Sequence, residues 1–524
     1  QVLATGAMDH SSSFAINNPT YAEGMIFVGL SDGTIQAFDA VTLRSVWIYR
    51  DPLKGQPNSP IVYHDGYLYT GFWNGEEKDA NYVCLSVTDE DPTRGDEAKL
   101  ATWTYTSKGG FYWAGAYVCD TAVVVPTDDG ANGYITGHAR LLSLSPKTGF
   151  LQDAVTMAEP GDLRSAVTYD NGQCYFTSKG GYFYRIGLRN DGVFEPGSLR
   201  GLKLYNYAND AANPAMSTST PTVYNGRAYV GVSGVGQFKA YSGHNITVVD
   251  LASWRIAYTV RTQGYPQTSA LLTTAYEAET GCVYVYFFDN FTPGKLRLLR
   301  DKPGQTAPDV TTPETIVAGG QTVTYDTAPV LFTPSGAQQQ YAICSPITDE
   351  SGTIYFKNDS AFLMALTSTI TKLEITAAPD KTAYREGESF DPAGMRITAH
   401  YANGYTRDVT KYVTWSTAPL TAADTRFRLE FPYAMYQNAD GQTGVACVKP
   451  SVMLPLTIST VAAGDVNGDG VVDDVDAALV YGHVNGRLTL TGEQLLRADI
   501  NGDGLVDQND AAQIYAAYLT DTGR

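Results

Sequence analysis

Two short acidic segments near the end of the chain have the residue types and spacing of a cation-binding loop. GDVNGDGVVDD begins at Gly464, and ADINGDGLVDQ begins at Ala498. An EF-hand-type loop supplies oxygens from positions 1, 3, 5, 7, 9 and 12, with glycine at position 6. Packing several carboxylates into one loop is unfavourable unless a divalent cation neutralises them, and calcium accepts six to eight oxygens. The spacing predicts calcium ligands at Asp465, Asn467, Asp469, Val471 (through its carbonyl), Asp473 and Asp476, and at Asp499, Asn501, Asp503, Leu505 (through its carbonyl), Asp507 and Asp510.

Each predicted loop is followed by a helical pattern, and no helix leads into either loop. VDAALVYGHV and NDAAQIYAAYL follow the loops, LTISTVAAG precedes the first one, and position 12 is Asp where an EF-hand has Glu. This duplicated loop–helix motif over residues 463–520 resembles the dockerin type I domain, to which we assign residues 462–524. The resemblance implies that the partner is a cohesin module of a scaffolding protein. It places cohesin recognition at loop positions 10 and 11, which are Asp474, Val475, Gln508 and Asn509.

The two recognition pairs differ in chemistry, which argues against the symmetric, two-orientation binding of some dockerins. Leu479, Val480 and Ile514 in the helical patterns are expected to form the core of this domain. Residues 461–524 contain eleven acidic residues and three arginines. Without calcium the domain should therefore be poorly folded, because the metal supplies much of the folding free energy.

Two loops in the first half of the chain are rich in aromatic residues and could bind a sugar. GFWNGE contains Trp73, and GGFYWAG contains Tyr112 and Trp113. Sugars stack their C–H groups on flat aromatic faces, and exposed aromatic residues mark binding surfaces. These three residues are candidate ligand-binding aromatics, and packing between sheets is the alternative role for each.

Acidic loop residues raise the alternative of an enzyme, because glycoside hydrolysis needs two carboxylates that flank the scissile bond. The sequence cannot place any two of them opposite one another, so the catalytic residues stay unassigned. The six histidines form no HxH or HExxH cluster, and there is no GxSxG elbow. We expect a non-catalytic protein, with a glycoside hydrolase or polysaccharide lyase as the alternative. The candidate carboxylates are Glu76, Glu77, Asp128, Asp129 and Asp162.

The aromatic and acidic loops of the first half of the chain lie within a repeated sequence pattern that must position them. Seven copies of a Gly-turn-and-strand pattern occur; Gly24 and Gly66 lie 42 residues apart, and Gly172 and Gly226 lie 54 apart. Units of roughly 40–50 residues with about four strands are propeller blades. The sequence therefore predicts a mainly β fold with a β-propeller of about seven blades, six to eight being possible, over residues 1–367.

The repeats resemble the pyrroloquinoline-quinone-like (PQQ-like) propeller repeat, best seen in Asp32 to Asp39 and in Asp65 to Gly71. Quinoprotein dehydrogenases of this family use adjacent cysteines near the cofactor, and this chain has no Cys-Cys pair. We therefore expect no bound PQQ. The longer gap between Gly281 and Gly352 leaves open an extra blade or a plain insertion.

Residues 368–461 read as a small β-sandwich between the propeller and the dockerin. Apolar and polar residues alternate from Ile370, and the pair Asn403-Gly404 is a strong hairpin signal. The run from Pro379 to Gly394 resembles the bacterial immunoglobulin-like group 3 domain, which implies an Ig-like spacer module.

The net charge, the lengths of the apolar runs and the cysteine spacing exclude several classes of function. A net charge of −19 disfavours binding to nucleic acid, because phosphates would be repelled. No apolar run is long enough to span a membrane, and no signal peptide is visible at Gln1. The six cysteines form no CxxC pair and are expected to be buried apolar residues. The dockerin resemblance implies a secreted bacterial protein of an extracellular, cell-surface assembly, and we expect its propeller to bind a polysaccharide or a protein.

Overall fold

We describe the chain from a computed structural model, in which it divides into two compact units. The first unit holds the described residues of 1–347 and 354–365; the second holds those of 348–353, 366–439 and 444–524. The structure describes residues 4–11, 18–207, 215–234, 241–318, 321–350, 352–402, 404–431, 436–437, 445–446, 450–459 and 462–521.

The first unit is built from consecutive sheets whose strands are mostly antiparallel and follow chain order. The first sheet consists of Thr20–Ala22, Met25–Leu30, Thr34–Asp39 and Ser45–Arg50, with Glu97–Lys99 added in parallel. The second sheet consists of Val62–His64, Tyr67–Gly71, Asp79–Ser86 and Trp103–Lys108. The third consists of Tyr117–Val118, Val123–Pro126, Arg140–Leu144 and Leu151–Thr156, and the fourth of Thr168–Asp170, Gln173–Thr177, Tyr182–Gly187 and Arg200–Lys203.

Three further sheets complete this series in the described residues, together with a short helix α1 (Glu277–Thr280) and a 3-10 turn (Gly336–Gln338). The fifth sheet consists of Thr222–Tyr224, Arg227–Val232, Asn245–Asp250 and Arg255–Arg261, extended by the hairpin Thr312–Ala318 and Gln321–Thr327. The sixth sheet consists of Leu271–Thr273, Val283–Phe288, Leu296–Asp301 and Val330–Phe332. The seventh consists of Ile347–Thr348, Ile354–Lys357 and Leu363–Leu366.

Between Thr20 and Leu366 the described residues therefore form seven sheets, one for each predicted repeat. The long gap before Gly352 holds the hairpin, which adds its strands to the fifth sheet through the parallel pair Arg261 and Thr327. Of the two explanations for this gap, the described residues match the insertion, because the hairpin joins an existing sheet.

The recurring glycine turns have a specific backbone geometry. Asp65-Gly66 is a two-residue loop between the first two strands of the second sheet, with φ of 45° and 80°. Asn225-Gly226 in the fifth sheet has φ of 46° and 76°. Positive φ at both central residues is the type I′ turn, whose twist matches that of the flanking strands and which favours Asn-Gly and Asp-Gly. Glycine turns therefore mark the start of the first, second, fourth and fifth sheets, whereas the third sheet has Asp120 and Thr121 at this place and the sixth has helix α1, which ends at Gly281.

Neighbouring sheets pack face to face. The buried apolar clusters each combine residues of two consecutive sheets, first with second through to fifth with sixth. Hydroxyl groups also join the first strands of neighbouring sheets. Thr20 Oγ1 donates to the carbonyl of Ile61 at 2.8 Å, and Thr222 Oγ1 donates to that of Ala270 at 2.6 Å. The second to fifth sheets thereby bury both faces, which a lone sheet cannot do.

The second unit begins with short strands around one apolar core that includes Tyr384, Ile397 and Leu429. Gly404, with φ of 82°, turns the predicted hairpin, while Asn403 lies outside the described residues. The Ig-like assignment of this region stays a prediction. One three-stranded sheet consists of Ile370–Ala377, Arg396–Tyr401 and Thr406–Asp408. Three two-stranded sheets pair Ala383–Arg385 with Thr457–Ser459, Arg426–Glu430 with Ser451–Pro455, and Tyr436–Gln437 with Val445–Ala446. The region also contains the 3-10 turn Thr410–Tyr412.

Three helices end the second unit: α2 (Asp474–Val484), α3 (Glu493–Ala498) and α4 (Gln508–Asp521). Helices α2 and α4 follow the acidic loops, as the sequence predicts. Val480 and Ile514 are fully buried in the shared core, and Leu479 packs against it. Over the described residues, no helix is long and apolar enough to cross a membrane.

Helix α3 was not predicted from the sequence, and it lies against the preceding β-region. It contacts strands Ala383–Arg385 and Thr457–Ser459. The Arg385 guanidinium donates from Nη2 to the Leu496 carbonyl at 3.1 Å. This contact between the β-region and the helical region explains why both belong to one compact unit.

Candidate functional site

In the first acidic loop, the carboxylates at positions 1 and 12 fold the backbone around themselves. Asp465 and Asp476 are both buried. Asp476 accepts hydrogen bonds from the backbone N–H groups of Asn467 at 2.9 Å and Asp473 at 3.0 Å. Asp465 accepts three more, at 2.8, 3.1 and 2.8 Å, from Gly468, Asp469 and Gly470. The loop is thus already curved around its acidic side chains.

The second loop repeats this geometry. Asp510, fully buried, accepts from the backbone N–H groups of Ile500 at 3.1 Å, Asn501 at 3.4 Å and Asp507 at 2.9 Å. Asp499 accepts at 2.8, 3.1 and 3.0 Å from Gly502, Asp503 and Gly504. Positions 1 and 12 therefore have the same hydrogen-bonding roles in both copies.

Two further observations indicate that the loop residues suit calcium. The donor set is carboxylate, amide and carbonyl oxygen, which are the hard ligands calcium prefers. Gly470 and Gly504 at position 6 have φ of 91° and 86°, and a Cβ at either position would meet nothing within 4 Å. It is therefore the left-handed backbone, and not crowding, that favours glycine there. When bound, calcium would neutralise the carboxylates that the loop brings together.

The first loop is also joined to the helix that follows it. Asp473 is the N-cap of α2: its carboxylate accepts from Val475 N–H at 2.9 Å, and the Asp476 side chain completes a capping box. Two of the predicted calcium ligands therefore also start the helix, so metal binding and helix formation should be coupled.

The predicted cohesin-recognition residues lie at the starts of the two helices. All four are exposed, and Val475 is 51% exposed. They are an acidic and an apolar side chain on α2 and two amides on α4, so the two exposed faces differ in chemistry. The members are Asp474, Val475, Gln508 and Asn509.

The three predicted ligand-binding aromatics lie together in the first unit. The rings of Trp73 and Tyr112 are 4.8 Å apart edge to face, and those of Tyr112 and Trp113 are 4.6 Å apart. All three side chains belong to partly exposed residues. The structure therefore places residues from two separate loops in one aromatic group, which we call the aromatic cluster.

Three of the candidate carboxylates also converge, around a residue that sequence reasoning missed. Arg164 Nη2 lies 2.7 Å from Glu76 Oε2, 2.6 Å from Asp128 Oδ2 and 2.7 Å from Asp162 Oδ2. Asp128 and Asp162 side chains are fully buried, and Glu76 is 27% exposed. We call these four residues the Arg164 hub. A signal was present in the sequence, because Arg164 follows Asp162 by two residues in the same loop.

The Arg164 hub holds the aromatic cluster. The guanidinium carbon lies 4.7 Å from the centre of the Tyr112 ring and 5.9 Å from that of Trp73. Trp73 Nε1 donates to Asp128 Oδ2 at 3.1 Å. These contacts tie loops of the second and third sheets to the loop that precedes the fourth.

Burial shifts the ionisation of the groups around the hub. It raises the pKa of Asp162 to about 7, although the Arg164 charge acts in the opposite direction. It also raises the pKa of Asp128, again against Arg164. Burial and repulsion by Arg164 lower the pKa of Lys179 to about 8. A carboxyl group with a pKa near 7 can exchange a proton at neutral pH.

The other two candidate carboxylates have different surroundings. Asp129 accepts backbone hydrogen bonds from Ala131 at 2.7 Å and Gly137 at 2.6 Å, so it shapes its own loop. Glu77 is exposed. The structure therefore gathers Glu76, Asp128 and Asp162 and leaves these two outside the group.

A cavity of about 240 Å³ lies where the segments leading into the first strands of several sheets converge. Trp113 of the aromatic cluster lines it, together with segments that precede the first, second, fifth, sixth and seventh sheets. Those segments contribute Asn18, Thr20, Asn58, Ile61, Thr218, Thr220, Gln267, Thr268, Ser269, Cys344 and Ser345. Residues that are far apart in the sequence thus meet at one polar cavity.

Two family models match parts of the chain. Residues 463–518 match the dockerin type I domain, and residues 8–77 match the outer membrane protein assembly factor BamB model. The comparison with curated proteins finds no match.

The solved structures that match the chain do so at low sequence identity and low TM-score. BamB from Moraxella catarrhalis has 12% identity and a TM-score of 0.41, over 74% of this chain and 95% of BamB. A europium-containing methanol dehydrogenase has 10% identity and a TM-score of 0.42, over 64% and 72%. The quinohemoprotein alcohol dehydrogenase ADHIIG from Pseudomonas putida HK5 has 14% identity and a TM-score of 0.41, over 64% and 61%. The family matches alone show a dockerin type I domain at residues 463–518 and a PQQ-like repeat match at residues 8–77.

Proposed function

We propose that this protein is a secreted, non-catalytic component of an extracellular assembly, to which its dockerin domain attaches it by calcium-dependent binding of a cohesin. The observation that carries the proposal is the pair of acidic loops with the same ligand spacing, each followed by a helix with an exposed start. Calcium at the predicted ligands of both loops would set the positions of α2 and α4. The exposed pairs at their N-termini would then contact the cohesin, and their different chemistry favours one binding orientation.

The attachment is tested by retention of the full chain on immobilised cohesin modules. We expect retention in calcium and elution by a chelator. Retention that persists after chelation, or no retention on any cohesin of a broad panel, would contradict the proposal.

For the first unit, we propose a closed seven-bladed propeller that binds a polysaccharide or a protein. Closure is supported by the cavity, which is lined by segments of both the first and the seventh sheets. Ligand binding is supported by the aromatic cluster beside it. The described cavity lining has no charged residue that would match the carboxylates of PQQ, so these residues do not fit that cofactor. We propose further that the described residues of 368–461 form an Ig-like module.

Migration of the full chain through gels that contain plant, starch or mucin polysaccharides tests the propeller proposal. We expect Trp73→Ala to lose the retardation seen for the unchanged protein. Tyr21→Ala is the control, because Tyr21 is 70% exposed and lies outside the aromatic cluster. Equal retardation of both variants would show that the aromatic cluster is not the binding surface. If no gel retards the unchanged protein, the ligand of the propeller would be a protein and not one of these polysaccharides.

The second candidate function is polysaccharide cleavage by a hydrolase or lyase. It is favoured by the three carboxylates of the Arg164 hub, which have oxygens within 4.8 Å of one another, and by the raised pKa of Asp162. Against it, the same carboxylates are paired with Arg164, and two of them are fully buried. Release of reducing or unsaturated sugars from a polysaccharide panel, abolished by Glu76→Gln, would establish catalysis.

A further inference from the structure

A second pocket lies where the hairpin insertion joins the fifth sheet. Its volume is about 490 Å³, within the range of about 300–1,000 Å³ for small-molecule sites. Strand Arg255–Arg261 forms one wall, the hairpin and the segment before it form another, and Tyr207 also lines it. Because the hairpin interrupts the repeat pattern, this pocket is a feature of the insertion and not of the repeated sheets. We call it the Arg261 pocket.

The strand that ends at Arg261 fixes this residue at the pocket. The Arg261 backbone pairs with Thr327 of the hairpin, and Thr327 Oγ1 donates to the Arg261 carbonyl at 2.6 Å. Successive side chains of a strand point to opposite faces. Val260 packs into the core between the fifth and sixth sheets, so Thr259 and Arg261 share the other face. The junction between the insertion and the sheet therefore determines where the Arg261 side chain projects.

Two tyrosine rings contact the Arg261 guanidinium. Its central carbon lies 4.1 Å from the centre of the Tyr207 ring and 6.0 Å from that of the Tyr325 ring. Both rings are held through their hydroxyl groups: Tyr207 donates to the Thr259 carbonyl at 3.0 Å, and Tyr325 donates to Glu314 Oε2 at 3.4 Å. Since both tyrosines line the pocket, the guanidinium lies at the pocket wall. Contacts with ring faces attract the cation but use none of its N–H donors.

Among the described residues, the Arg261 guanidinium has no counter-charge. No carboxylate oxygen of this part of the chain lies within 4.0 Å of it, and its N–H groups have no acceptor there. Neighbouring cations differ, because Lys295 and Arg297 both pair with Glu314, at 2.9 and 3.0 Å. Asp326 also lines the pocket, but its side chain projects to the opposite face of its strand from the tyrosine ring beside Arg261.

These features select an anionic ligand and restrict its charge. Arg261 is partly exposed and its guanidinium nitrogens keep accessible surface, so a molecule in the pocket can reach them. A guanidinium presents its N–H groups in a planar fork that binds a carboxylate through two parallel hydrogen bonds. One cation compensates one negative charge, whereas a phosphate monoester carries about −1.5 to −2. The expected ligand is therefore a carboxylate, and the tyrosine rings favour one whose body has an apolar C–H face.

We infer that the Arg261 pocket binds a sugar acid of the uronic acid class, either free or as a residue of a polysaccharide. The carboxylate forms a bidentate ion pair with Arg261, and the C–H face of the sugar ring packs against Tyr207 and Tyr325. The choice of a sugar acid among carboxylates rests on the polysaccharide binding proposed for the first unit. The pocket is then a further contact for an acidic polysaccharide, formed by other residues than the aromatic cluster.

Saturation-transfer NMR of the full chain with matched sugars tests the inference. Glucuronate and glucose, like galacturonate and galactose, have the same ring and differ in the carboxylate. We expect at least one uronate to bind more tightly than its neutral partner. Arg261→Gln should weaken uronate binding roughly ten- to hundredfold, as expected for the loss of a charge-assisted pair. Arg261→Lys keeps the charge but not the fork, so it should weaken binding less.

Arg255→Gln is the matched control. Arg255 begins the strand that Arg261 ends, but it is exposed and does not line the pocket. This variant should leave uronate binding unchanged. Arg261→Gln should leave the melting temperature nearly unchanged, because no carboxylate among the described residues loses an ion-pair partner. Lost uronate binding in a protein that melts normally therefore reports on the pocket and not on unfolding.

The remaining outcomes separate the possible failures. Uronate binding that equals that of the neutral partners, or that Arg261→Gln keeps, overturns the inference. Glucose 6-phosphate or N-acetylglutamate that binds more tightly than either uronate overturns the choice of a sugar acid. If gels with neutral polysaccharides retard the chain while no uronate binds, the inference fails and the proposed polysaccharide binding stands. If no polysaccharide gel, neutral or acidic, retards the chain and no sugar binds, both fail.

Discussion

Replacing Arg164 with glutamine should destabilise the first unit strongly. The guanidinium is the only cation within ion-pair distance of Glu76, Asp128 and Asp162 among the described residues, and its side chain is 5% exposed. Glutamine keeps part of the length and polarity but removes the charge. Two fully buried carboxylates would then face each other without compensation.

The expected magnitude follows from this burial. Removing one partner of a buried ion pair costs about 3–5 kcal/mol, because a charge is left unpaired in a poorly solvated site. Such a loss lowers the melting temperature of a unit of this size by roughly 4–7 °C. Arg189→Gln is the control: Arg189 pairs with Asp191 at 2.6 Å, but both side chains are about half exposed. An exposed pair contributes about 0–1 kcal/mol.

The destabilisation should also depend on pH. The pKa of Asp162 in the folded state is about 7 and lies above its value in the unfolded chain. Stability associated with this group is therefore complete below about pH 4 and is lost as the pH rises through about 7. Without Arg164 the carboxylates ionise less readily still. The difference between Arg164→Gln and the unchanged protein should therefore shrink as the pH falls from about 8 to about 5.

Differential scanning calorimetry of the full chain measures this effect, and the transition of the second unit is an internal reference. A drop no larger than that of Arg189→Gln would refute the reasoning. A drop that stays the same across this pH range would refute the assignment of the loss to stranded carboxylates.

Three further predictions concern the dockerin domain. Chelation of calcium should lower the calorimetric transition of the second unit and spare the first, because the acidic loops then repel themselves; an unchanged second transition would argue against metal-coupled folding. Asp476→Ala should weaken calcium binding at the first loop by at least about tenfold in calorimetric titration, as expected when a ligand of a hard cation is removed. Asp474→Ala, which removes an adjacent exposed carboxylate of the same charge, should leave calcium binding nearly unchanged, and equal losses would contradict the ligand assignment. For cohesin binding, the double variant Asp474→Ala/Val475→Ala and the double variant Gln508→Ala/Asn509→Ala should differ in their effects on Kd; equal effects would favour two symmetric orientations.

Local signals in the sequence predicted the elements whose geometry is set within a few residues. The acidic loops could be recognised because the ligand spacing and the position-6 glycines are both local. The Asp-Gly and Asn-Gly turns were equally visible, because a type I′ turn requires positive φ at two consecutive residues. These turns marked the start of the second, fourth and fifth sheets, and the recurring strand pattern around them predicted the other four of the seven.

Features that depend on distant residues were not predictable in the same way. The candidate carboxylates were found by residue type, but their convergence on Arg164 depends on how three sheets pack. Helix α3 was missed because it is six residues long and is held by contacts such as Arg385 with the Leu496 carbonyl. The cavity leaves no sequence pattern, because its lining combines residues from segments that are far apart in the sequence.

The central claim is that two calcium loops make this chain a ligand of a cohesin. Isothermal titration of the full chain with a purified cohesin module, in calcium and in excess chelator, tests it most directly. We predict one cohesin bound per chain in calcium, no measurable binding in chelator, and full recovery when calcium is restored. Binding of equal affinity in both conditions, or loss of binding that calcium does not restore, would contradict it.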